Sequence, residues 1–513
     1  MGLLVGGEFE IVGGTHPNRT NMTVFQNFMY YLLIFIISTD RYKFYLPAFL
    51  DFRGRIYRSG VLHFHERDLA RSLIVFSSQD SSDIVDKRLS NVYLKCGAAF
   101  HFKKFDGYNF AHKWYDDEIM KINNDVDLIN LALEAKDQYQ FISKVITIEE
   151  NHYNKIQKQQ LPITQDASAS AYQIMSYLLL DLELALLTNL FICESTDNIQ
   201  DIYSNCLEEL KNYSPNHLKS EICDIVINEN SYPLTRTLIK GILMPLIYGK
   251  SNISIANDLY THYKTVLNKR ECFTLAVSIV EYFNEKFPGI RNLMNLLRNI
   301  GWLCSAMGKP VCYQVPLYKT VQDYVKSKPV KIWLYDSVLK KKRQVTLRIP
   351  TDERDKRKSE VSTFVNFIHQ KDAYIAMYMI SQMNKLGAPI YTVHDNFITT
   401  ANYAINLPKL YLGYFYSNNP LLFINEFIKY NLNIRPNRIT QPIPTKVLTD
   451  NLSKLIPKTL SSSERAKWIK RIDIIIKSYE YYIEKTYEDN PNIAWGNYKI
   501  NYIMRVNPYC LHL

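Results

Sequence analysis

The stretch from Arg236 to Gly249 constrains the fold of this chain more than any other part of it. It reads RTLIKGILMPLIYG, so that Arg236, Lys240, Met244 and Tyr248 recur at every fourth position. A helix places residues with that spacing on nearly one face. The residues between them are mostly apolar and suit a hydrophobic core. The stretch therefore predicts a helix whose two cations and aromatic ring face a cleft, although a solvated basic face is the simpler alternative.

Further patterns predict the elements around this helix. The run IYTVHDNFITT at 390–400 is β-prone on both sides of VHDN, which predicts a hairpin turn. Residues 338–358 are β-like between charge clusters, and both a solvated loop and a nucleic-acid contact remain open for them. Apolar periodicity predicts helices at 167–194, 200–226, 234–249 and 361–386. We expect an α+β fold, mainly helical, with a small antiparallel sheet.

The charge and the cysteines narrow the class of protein. The chain has 61 Lys and Arg against 50 Asp and Glu, a net charge of +11, which favours a polyanionic partner or serves solubility alone. Its 8 cysteines contain no C-x-x-C pair, which argues against a structural zinc site and a disulfide framework. We therefore expect a reducing compartment.

The N-terminal part carries one long apolar run, from Phe28 to Ile37. The run is about half of the ~20 residues that span a bilayer, so we expect a buried core helix and no stable membrane insertion. The start, MGLLVGGEFE, has no basic region and no Arg-rich amphipathic pattern, so it predicts neither a signal peptide nor a transit peptide.

Two aspartates, Asp166 and Asp395, occupy positions from which they could bind metal ions for phosphoryl transfer. Asp166 closes a short extended segment before a helical pattern, where it is either a metal ligand or an N-cap. Asp395 lies in the predicted hairpin turn, where a lone aspartate is usually only a turn residue. Two carboxylates beside a Lys/Arg helix are the groups that metal-dependent phosphoryl transfer requires, with two Mg²⁺ ions held mainly by oxygen ligands.

Five motifs in this order resemble those of the single-subunit RNA polymerases of bacteriophages and mitochondria. Asp51 to Tyr57 (DFRGRIY) resembles D-[FW]-R-G-R-x-Y, and Asp166 to Gln173 (DASASAYQ) resembles D-G-S-x-S-G-x-Q. Arg236 to Gly249 resembles R-x-x-x-K-x-x-x-M-x-x-x-Y-G. Asn366 to Asp372 (NFIHQKD) resembles N-F-[IV]-H-x-x-D, and His394 to Phe397 (HDNF) resembles H-D-S-F. The likeness runs from about residue 42 to 400 and weakens in 60–160 and 250–350.

The resemblance implies a role for each motif residue. Asp166 and Asp395 would hold the two Mg²⁺ ions, and Lys240 would complete the catalytic set by protonating the leaving pyrophosphate. The nucleotide would be bound by three residues of the helix predicted at 234–249 and by one histidine: Arg236, Lys240, Tyr248 and His369. The template–product duplex would be bound by the first motif, through Arg53, Arg55 and Tyr57.

The resemblance also implies an activity, with alternatives. It implies DNA-templated RNA synthesis from NTPs on a right-hand polymerase palm with helical fingers. The alternatives are a DNA polymerase of the related family A and a catalytically inactive remnant that binds nucleic acid. Family A enzymes carry Glu five residues after the first metal-binding Asp, where this chain has Ala171, so the difference favours ribonucleotides.

The resemblance divides the chain into four parts. These are an N-terminal remnant (1–41), a first palm segment (42–194), fingers (195–369), and a second palm segment with a C-terminal extension (370–513). Because DFRGR lies close to the start, we expect no promoter-reading N-terminal domain, and an initiation factor or a missing N-terminal chain as partner. The expected location is a mitochondrion that encodes the protein.

One residue of the helix predicted at 234–249 departs from the family pattern. Pro245 stands where the family often has Thr. Proline removes one backbone hydrogen bond and clashes with the preceding turn, so a kink near Gly241 is expected.

Overall fold

A computed structural model describes residues 46–58, 68–72, 74–76, 87–154, 160–192, 198–213, 233–487, 491–503 and 507–513. The core helix predicted at 28–37, and with it the N-terminal segment 1–41, lies outside these residues. The chain forms two compact units. One comprises residues 1–49, 57–104 and 112–162, and the other comprises 50–56, 105–111 and 163–513.

The strands are short except for one pair. In chain order they are β1 (Ala48–Leu50), β2 (Ile56–Arg58), β3 (Pro162–Ala167), β4 (Val311–Val315), β5 (Tyr318–Gln322), β6 (Val325–Asp336), β7 (Lys341–Arg354), β8 (Tyr391–Val393), β9 (Asn396–Thr400) and β10 (Leu511–His512). β3, β8, β9 and β10 form one sheet in the order β10-β3-β9-β8. β10 pairs antiparallel with β3, and β8 with β9. The sheet thus joins three segments that lie far apart in the sequence.

The first unit is mainly helical where the structure describes it. Its helices are α1 (Asp68–Ser72), α2 (Lys87–Phe102), the part of α3 (Tyr108–Ile119) from residue 112 onward, α4 (Asp125–Glu134) and α5 (Gln138–Asn154). α2 and α5 pack along each other, and α1 and α4 also pack against α5.

The second unit holds the larger helical core. Its helices are α6 (Ser170–Leu179), α7 (Leu182–Leu187), α8 (Ile202–Asn212), α9 (Arg236–Ile247), α10 (Asn252–Tyr263), α11 (Lys269–Lys286), α12 (Pro288–Ala306), α13 (Lys356–Lys385), α14 (Ala401–Ala404), α15 (Asn406–Ser417), α16 (Leu421–Leu432), α17 (Thr445–Lys454), α18 (Ser462–Tyr487) and α19 (Pro491–Ile503). α12 is central and packs against α13 and α18. A Cβ at Gly301 of α12 would lie 2.0 Å from Oγ1 of Thr363 in α13, so glycine permits the close approach of these helices.

The fold class is confirmed: the protein is α+β, mainly helical, with small antiparallel sheets. The hairpin expected at 390–400 is confirmed as β8 and β9. Helices are confirmed for the predictions at 234–249 (α9) and 361–386 (α13), and the prediction at 200–226 is confirmed as far as Asn212, with 214–226 outside the described residues.

The single helix predicted at 167–194 is wrong. The chain continues as strand β3 through Ala167 and then forms two helices, α6 and α7. Leu180 ends α6 with a left-handed φ of 50°, and the side chain of Asp181 caps α7 by accepting from Leu184 N at 3.0 Å.

Residues 338–358, for which a solvated loop was one alternative, belong largely to a long hairpin. β6 and β7 pair from Val325↔Arg354 to Asp336↔Lys341, and most of their side chains are exposed. Alternate cross-strand pairs share a face, which places Lys331, Trp333, Tyr335, Lys342 and Arg348 on one side of the ribbon. Within the described residues, no helix combines the length and apolar character that a membrane span requires.

Candidate active site

The two aspartates singled out by the sequence lie on neighbouring strands of the four-stranded sheet. Asp166 is in β3, and Asp395 is in the two-residue turn between β8 and β9. The backbone N–H of Ala167 donates to the Asp395 carbonyl at 3.2 Å, which ties the turn to β3. His394 has a φ of 57°, and this left-handed residue lets the turn close in two residues. The N-cap alternative for Asp166 is excluded, because Ala169 occupies that position in α6.

The surroundings of Asp166 and Asp395 raise the pKa of both carboxylates. The side chain of Asp166 reaches solvent, yet the protein atoms around its carboxyl group and then the charge of Asp395 raise its pKa to about 7. Lys240 acts in the opposite direction on the same group. Burial and then the charge of Asp372 raise the pKa of Asp395, while a hydrogen bond from Ser170 lowers it. Each carboxylate thus lies in a surrounding that disfavours its own negative charge.

This donor set fits a divalent cation with hard oxygen ligands. Crowded carboxylates are stabilised by a bound cation, and Mg²⁺ takes only one or two of them, with water and phosphate oxygens completing its shell. Among the described residues, no group of three or more Asp, Glu, His or Cys side chains is arranged to hold a metal ion by itself. Asp166 and Asp395 would therefore be the protein's contribution, and other oxygens would come from solvent and substrate.

Helix α9 presents its side chains as their spacing predicts. Lys240 and Met244 are exposed, and Arg236 and Tyr248 are partly exposed. The other faces of α9 are buried, and their side chains are those of Leu238, Ile239, Ile242, Leu243, Leu246 and Ile247. The side chain of Thr235 caps the helix by accepting from Leu238 N at 3.3 Å. The positive charge of Lys240 lowers the pKa of Asp166, and the negative charge of Asp395 raises it. The three residues predicted to be catalytic are therefore close enough to act on one another.

Helix α9 continues through Pro245. Proline has no N–H, so the Gly241 carbonyl lacks its usual helical donor. Nζ of Lys250 donates to that carbonyl at 3.4 Å and also pairs with Asp258. The side chain of Lys250 thus replaces the missing donor, and the bend expected near Gly241 stays a prediction.

Helix α8 holds the cations of α9, a role that the sequence analysis did not predict for it. Asp201 caps α8 and accepts from Nε and Nη2 of Arg236. The Tyr203 ring centroid lies 5.8 Å from Cζ of Arg236 and 5.8 Å from Nζ of Lys240, within cation–π range. An N-cap aspartate and a helical tyrosine occur in many helices, so neither residue offered a distinguishing signal.

The DFRGR motif forms a self-contained loop. The Asp51 carboxylate accepts from the backbone N–H of Arg53 at 2.9 Å and of Arg55 at 3.0 Å. Gly54 has a φ of +87°, and a Cβ on it would lie 2.4 Å from the Tyr318 ring, so only glycine fits there. The Tyr318 hydroxyl donates to the Arg53 carbonyl at 2.9 Å and fastens the loop to β5.

The loop directs its two arginines at α13. Nη1 of Arg53 lies 2.6 Å from Nδ1 of His369, and Nη2 of Arg55 lies 2.6 Å from Oδ2 of Asp372. His369 and Asp372 are one helical turn apart and share a face. Two of the three side chains predicted to touch nucleic acid, Arg53 and Arg55, therefore make internal hydrogen bonds or ion pairs, and Asp372 is a partner that the sequence analysis did not predict.

The last three predicted site residues, Tyr248, His369 and Tyr57, differ in their surroundings. The Tyr248 and His369 rings lie 5.1 Å apart between centroids, so the two predicted nucleotide-binding residues are in contact. Burial, then the charges of Arg55 and Arg53, lower the pKa of His369 to about 2. Tyr57 belongs to the other compact unit, where its ring stacks on Phe49 at 5.6 Å, and its role stays a prediction.

Several proteins that are similar in sequence to this chain are described as DNA-directed RNA polymerases. Residues 91–419 match a family model described as DNA-dependent RNA polymerase. A probable DNA-directed RNA polymerase of Zea mays is 36% identical over 428 residues, covering 75% of this chain and 38% of the relative. One of Agaricus bitorquis is 30% identical, covering 72% and 35%. The mitochondrial DNA-directed RNA polymerase of Schizosaccharomyces pombe is 24% identical, covering 70% and 32%. The chain thus spans roughly a third to two fifths of the length of these relatives.

Proposed function

The chain belongs to the DNA-dependent RNA polymerase family, as its five motifs indicated, and we propose that it adds ribonucleotides from NTPs to the 3′ end of an RNA on a DNA template. The observation that supports this most directly is that the hydrogen bond from Ala167 to the Asp395 carbonyl brings Asp166 and Asp395 together at adjoining strands, with Lys240 close enough for its charge to act on Asp166. Membership of the family implies divalent-metal catalysis in general. The more specific proposal is that two Mg²⁺ ions act at this site.

Asp166 and Asp395 are the residues that would hold the ions. When bound, such ions polarise the transferred phosphoryl group and ease formation of the attacking 3′-alkoxide. The backbone bond from Ala167 to Asp395 fixes the separation of the two strands, and the Ser170 hydroxyl orients Asp395. The carboxylates are thereby preorganised, which limits the rearrangement needed during the reaction.

Arg236 and Lys240 are proposed to receive the triphosphate. Asp201 engages Nε and Nη2 of Arg236 and leaves Nη1 to donate to a phosphate oxygen. Lys240 is exposed on the same face and can neutralise charge, or donate a proton, where pyrophosphate departs. The Tyr203 ring beneath both cations keeps them oriented toward the cleft.

Tyr248 and His369 are proposed to bind the sugar and base of the incoming nucleotide. Their rings are in contact, so together they form one wall of the insertion site. Ala171 is buried in α6 and carries no carboxylate that would exclude a 2′-hydroxyl. The absence of a carboxylate at this position supports ribonucleotides over deoxyribonucleotides.

The proposed partners are template DNA, NTPs and the RNA product. A net charge of +11 and the basic, aromatic side of the β6–β7 ribbon support a polyanionic partner. An initiation factor or further chain is proposed as well, because the relatives carry sequence outside the matched region. A mitochondrion is the proposed location, supported by the mitochondrial relative of Schizosaccharomyces pombe.

Primer extension tests the proposal. The purified chain, a primed DNA template and Mg²⁺ are supplied with NTPs or dNTPs, with and without EDTA. We expect NTP-dependent, EDTA-sensitive extension that Asp395→Asn abolishes and the exposed control Asp450→Asn leaves intact. Extension with dNTPs alone would favour the DNA polymerase alternative. An absence of any extension, with nucleic-acid binding retained, would favour the inactive remnant.

A further inference from the structure

His369 is held by a chain of hydrogen bonds that begins at Asp51. Oδ2 of Asp51 accepts from Nε of Arg53 at 2.8 Å and also pairs with its Nη2 at 2.6 Å. The remaining terminal nitrogen of Arg53, Nη1, lies 2.6 Å from Nδ1 of His369. All three side chains are largely shielded from solvent; Arg53 and Asp51 retain 18% and 17% of their side-chain exposure.

This contact decides where the histidine carries its proton. A guanidinium has only donors, so Nδ1 of His369 must be the acceptor in the bond from Arg53. A neutral imidazole has one N–H, which must then be on Nε2. An imidazolium would place a second N–H against the Arg53 donor, and the positive charges of Arg53 and Arg55 oppose it as well.

We propose that Asp51 and Arg53 are positioning residues that fix His369 as its Nε2–H tautomer, a permanent hydrogen-bond donor facing the nucleotide. This rests on the proposed function for the identity of the ligand, and it changes the role expected for Arg53. Its guanidinium acts on His369 inside the protein rather than on the template–product duplex.

The fixed position of the proton on Nε2 of His369 determines which kind of atom a ligand must present to it. Nδ1 is occupied and the Tyr248 ring lies against the imidazole, so Nε2–H is the polar group left for a ligand. It can only donate, so it requires an acceptor. The 2′-oxygen of a ribose and the minor-groove acceptors of a base pair (purine N3, pyrimidine O2) share that property. The test below separates these two sources.

Arg55 provides an internal control. It pairs with Asp372 rather than with His369, although its charge adds to the field at the imidazole. Arg55→Gln should therefore ease protonation of His369 without moving the proton of the neutral ring. Arg53→Ala should instead release the tautomer, whereas Arg53→Lys keeps a group that only donates.

The first measurement is NMR of the full chain labelled with ¹⁵N-histidine, with His369→Gln identifying the signal. We expect one Nε2–H tautomer across pH 5–8 in the wild type, Arg55→Gln and Arg53→Lys, and a tautomer mixture in Arg53→Ala. Asp51→Asn should fall between wild type and Arg53→Ala, and thermal melts confirm that each variant is folded. An Nδ1–H signal in the wild type, or a folded Arg53→Ala with an unchanged tautomer, overturns the proposal.

The second measurement is nucleotide addition. In Arg53→Ala the imidazole loses its fixed orientation and only its Nε2–H fraction can donate, so KM for NTPs should rise by about two- to tenfold, with a smaller change in kcat. If the acceptor is the 2′-oxygen, the increase disappears with 2′-deoxy substrates; if it is a base edge, it persists. An equal loss for Arg53→Ala and Arg53→Lys overturns the tautomer argument. Because the NMR result needs no catalysis, inactive wild-type protein would sink the proposed function and leave the tautomer result standing.

Discussion

Replacing Gly54 with alanine tests the loop that carries Arg53 and Arg55. A Cβ built on Gly54 would lie 2.4 Å from Cζ and from the hydroxyl oxygen of Tyr318, and φ at Gly54 is +87°. The substitution therefore adds a strained backbone to a steric overlap. The Tyr318 hydroxyl donates to the Arg53 carbonyl, so the ring cannot withdraw without disturbing the loop.

Two other glycines separate these costs. Gly387 has a φ of +66° but no atom within 4 Å of its built Cβ, so Gly387→Ala carries the backbone cost alone, about 1–2 kcal/mol. Gly241 is helical and equally uncrowded, so Gly241→Ala should stabilise the fold by up to about 1 kcal/mol. Gly54→Ala adds overpacking of about 1–3 kcal/mol to the backbone cost, giving roughly 2–5 kcal/mol.

Urea denaturation and NTP incorporation provide the assay. The free energy of unfolding should decrease in the order Gly241→Ala, wild type, Gly387→Ala, Gly54→Ala. Gly54→Ala should also lose incorporation, because the displaced loop no longer aims its arginines at α13, while Gly387→Ala remains active. Adding Tyr318→Ala to Gly54→Ala removes the overlap and should recover part of the stability. A Gly54→Ala protein as stable as Gly387→Ala would refute the packing argument.

Three further predictions address other parts of the molecule. Asp395→Asn removes a like charge beside Asp166, so in EDTA its melting temperature should rise by a few degrees while extension is lost; a fall in melting temperature would contradict this. Burial lowers the pKa of Lys371 to about 7, so the unfolded chain binds its proton more tightly, and stability should rise between about pH 7 and 10. Urea titrations should show this rise flattened in Lys371→Met, and equal slopes would count against it. Deleting residues 511–513 removes the strand paired with Ala167 and Asp166, so both melting temperature and extension should fall; unchanged values would show that β10 is dispensable.

The sequence predicted the parts of the site whose signals are local. The spacing of Arg236, Lys240 and Tyr248 is a helical period, and α9 buries and exposes the residues which that period requires. Likewise, the β-prone runs on both sides of VHDN sufficed to place Asp395 in a hairpin turn. In both cases short-range geometry alone determines the element.

What the sequence could not predict depends on contacts between distant segments. β10 is only Leu511–His512, too short for any pattern, and it exists because β3 offers an edge with unpaired backbone groups. The break after α6 falls at Leu180, where neither Gly nor Pro gives a signal and only the Asp181 cap marks the next helix. The bond from Arg53 to His369 joins two motifs that can be recognised separately, but their pairing is visible only in three dimensions.

Two arginines of the candidate site are held by carboxylates of the protein itself. Asp201 holds Arg236, and Asp372 holds Arg55. A guanidinium that is already oriented loses less side-chain entropy when it binds a phosphate. These carboxylates therefore direct the positive groups, at the cost of partly neutralising them.

The two carboxylates proposed to hold metal ions, Asp166 and Asp395, are instead each near another anion. The charge acting most strongly on Asp166 is that of Asp395, another anion, and Lys240 only partly offsets it. A metal–triphosphate complex would present positive charge to this pair and negative charge to the cations of α9, so it would match both groups of side chains at once. Metal or triphosphate alone would compensate only one of the two groups. If the chain binds Mg²⁺ and NTPs as proposed, this distribution of charge favours their joint binding over binding of either one alone.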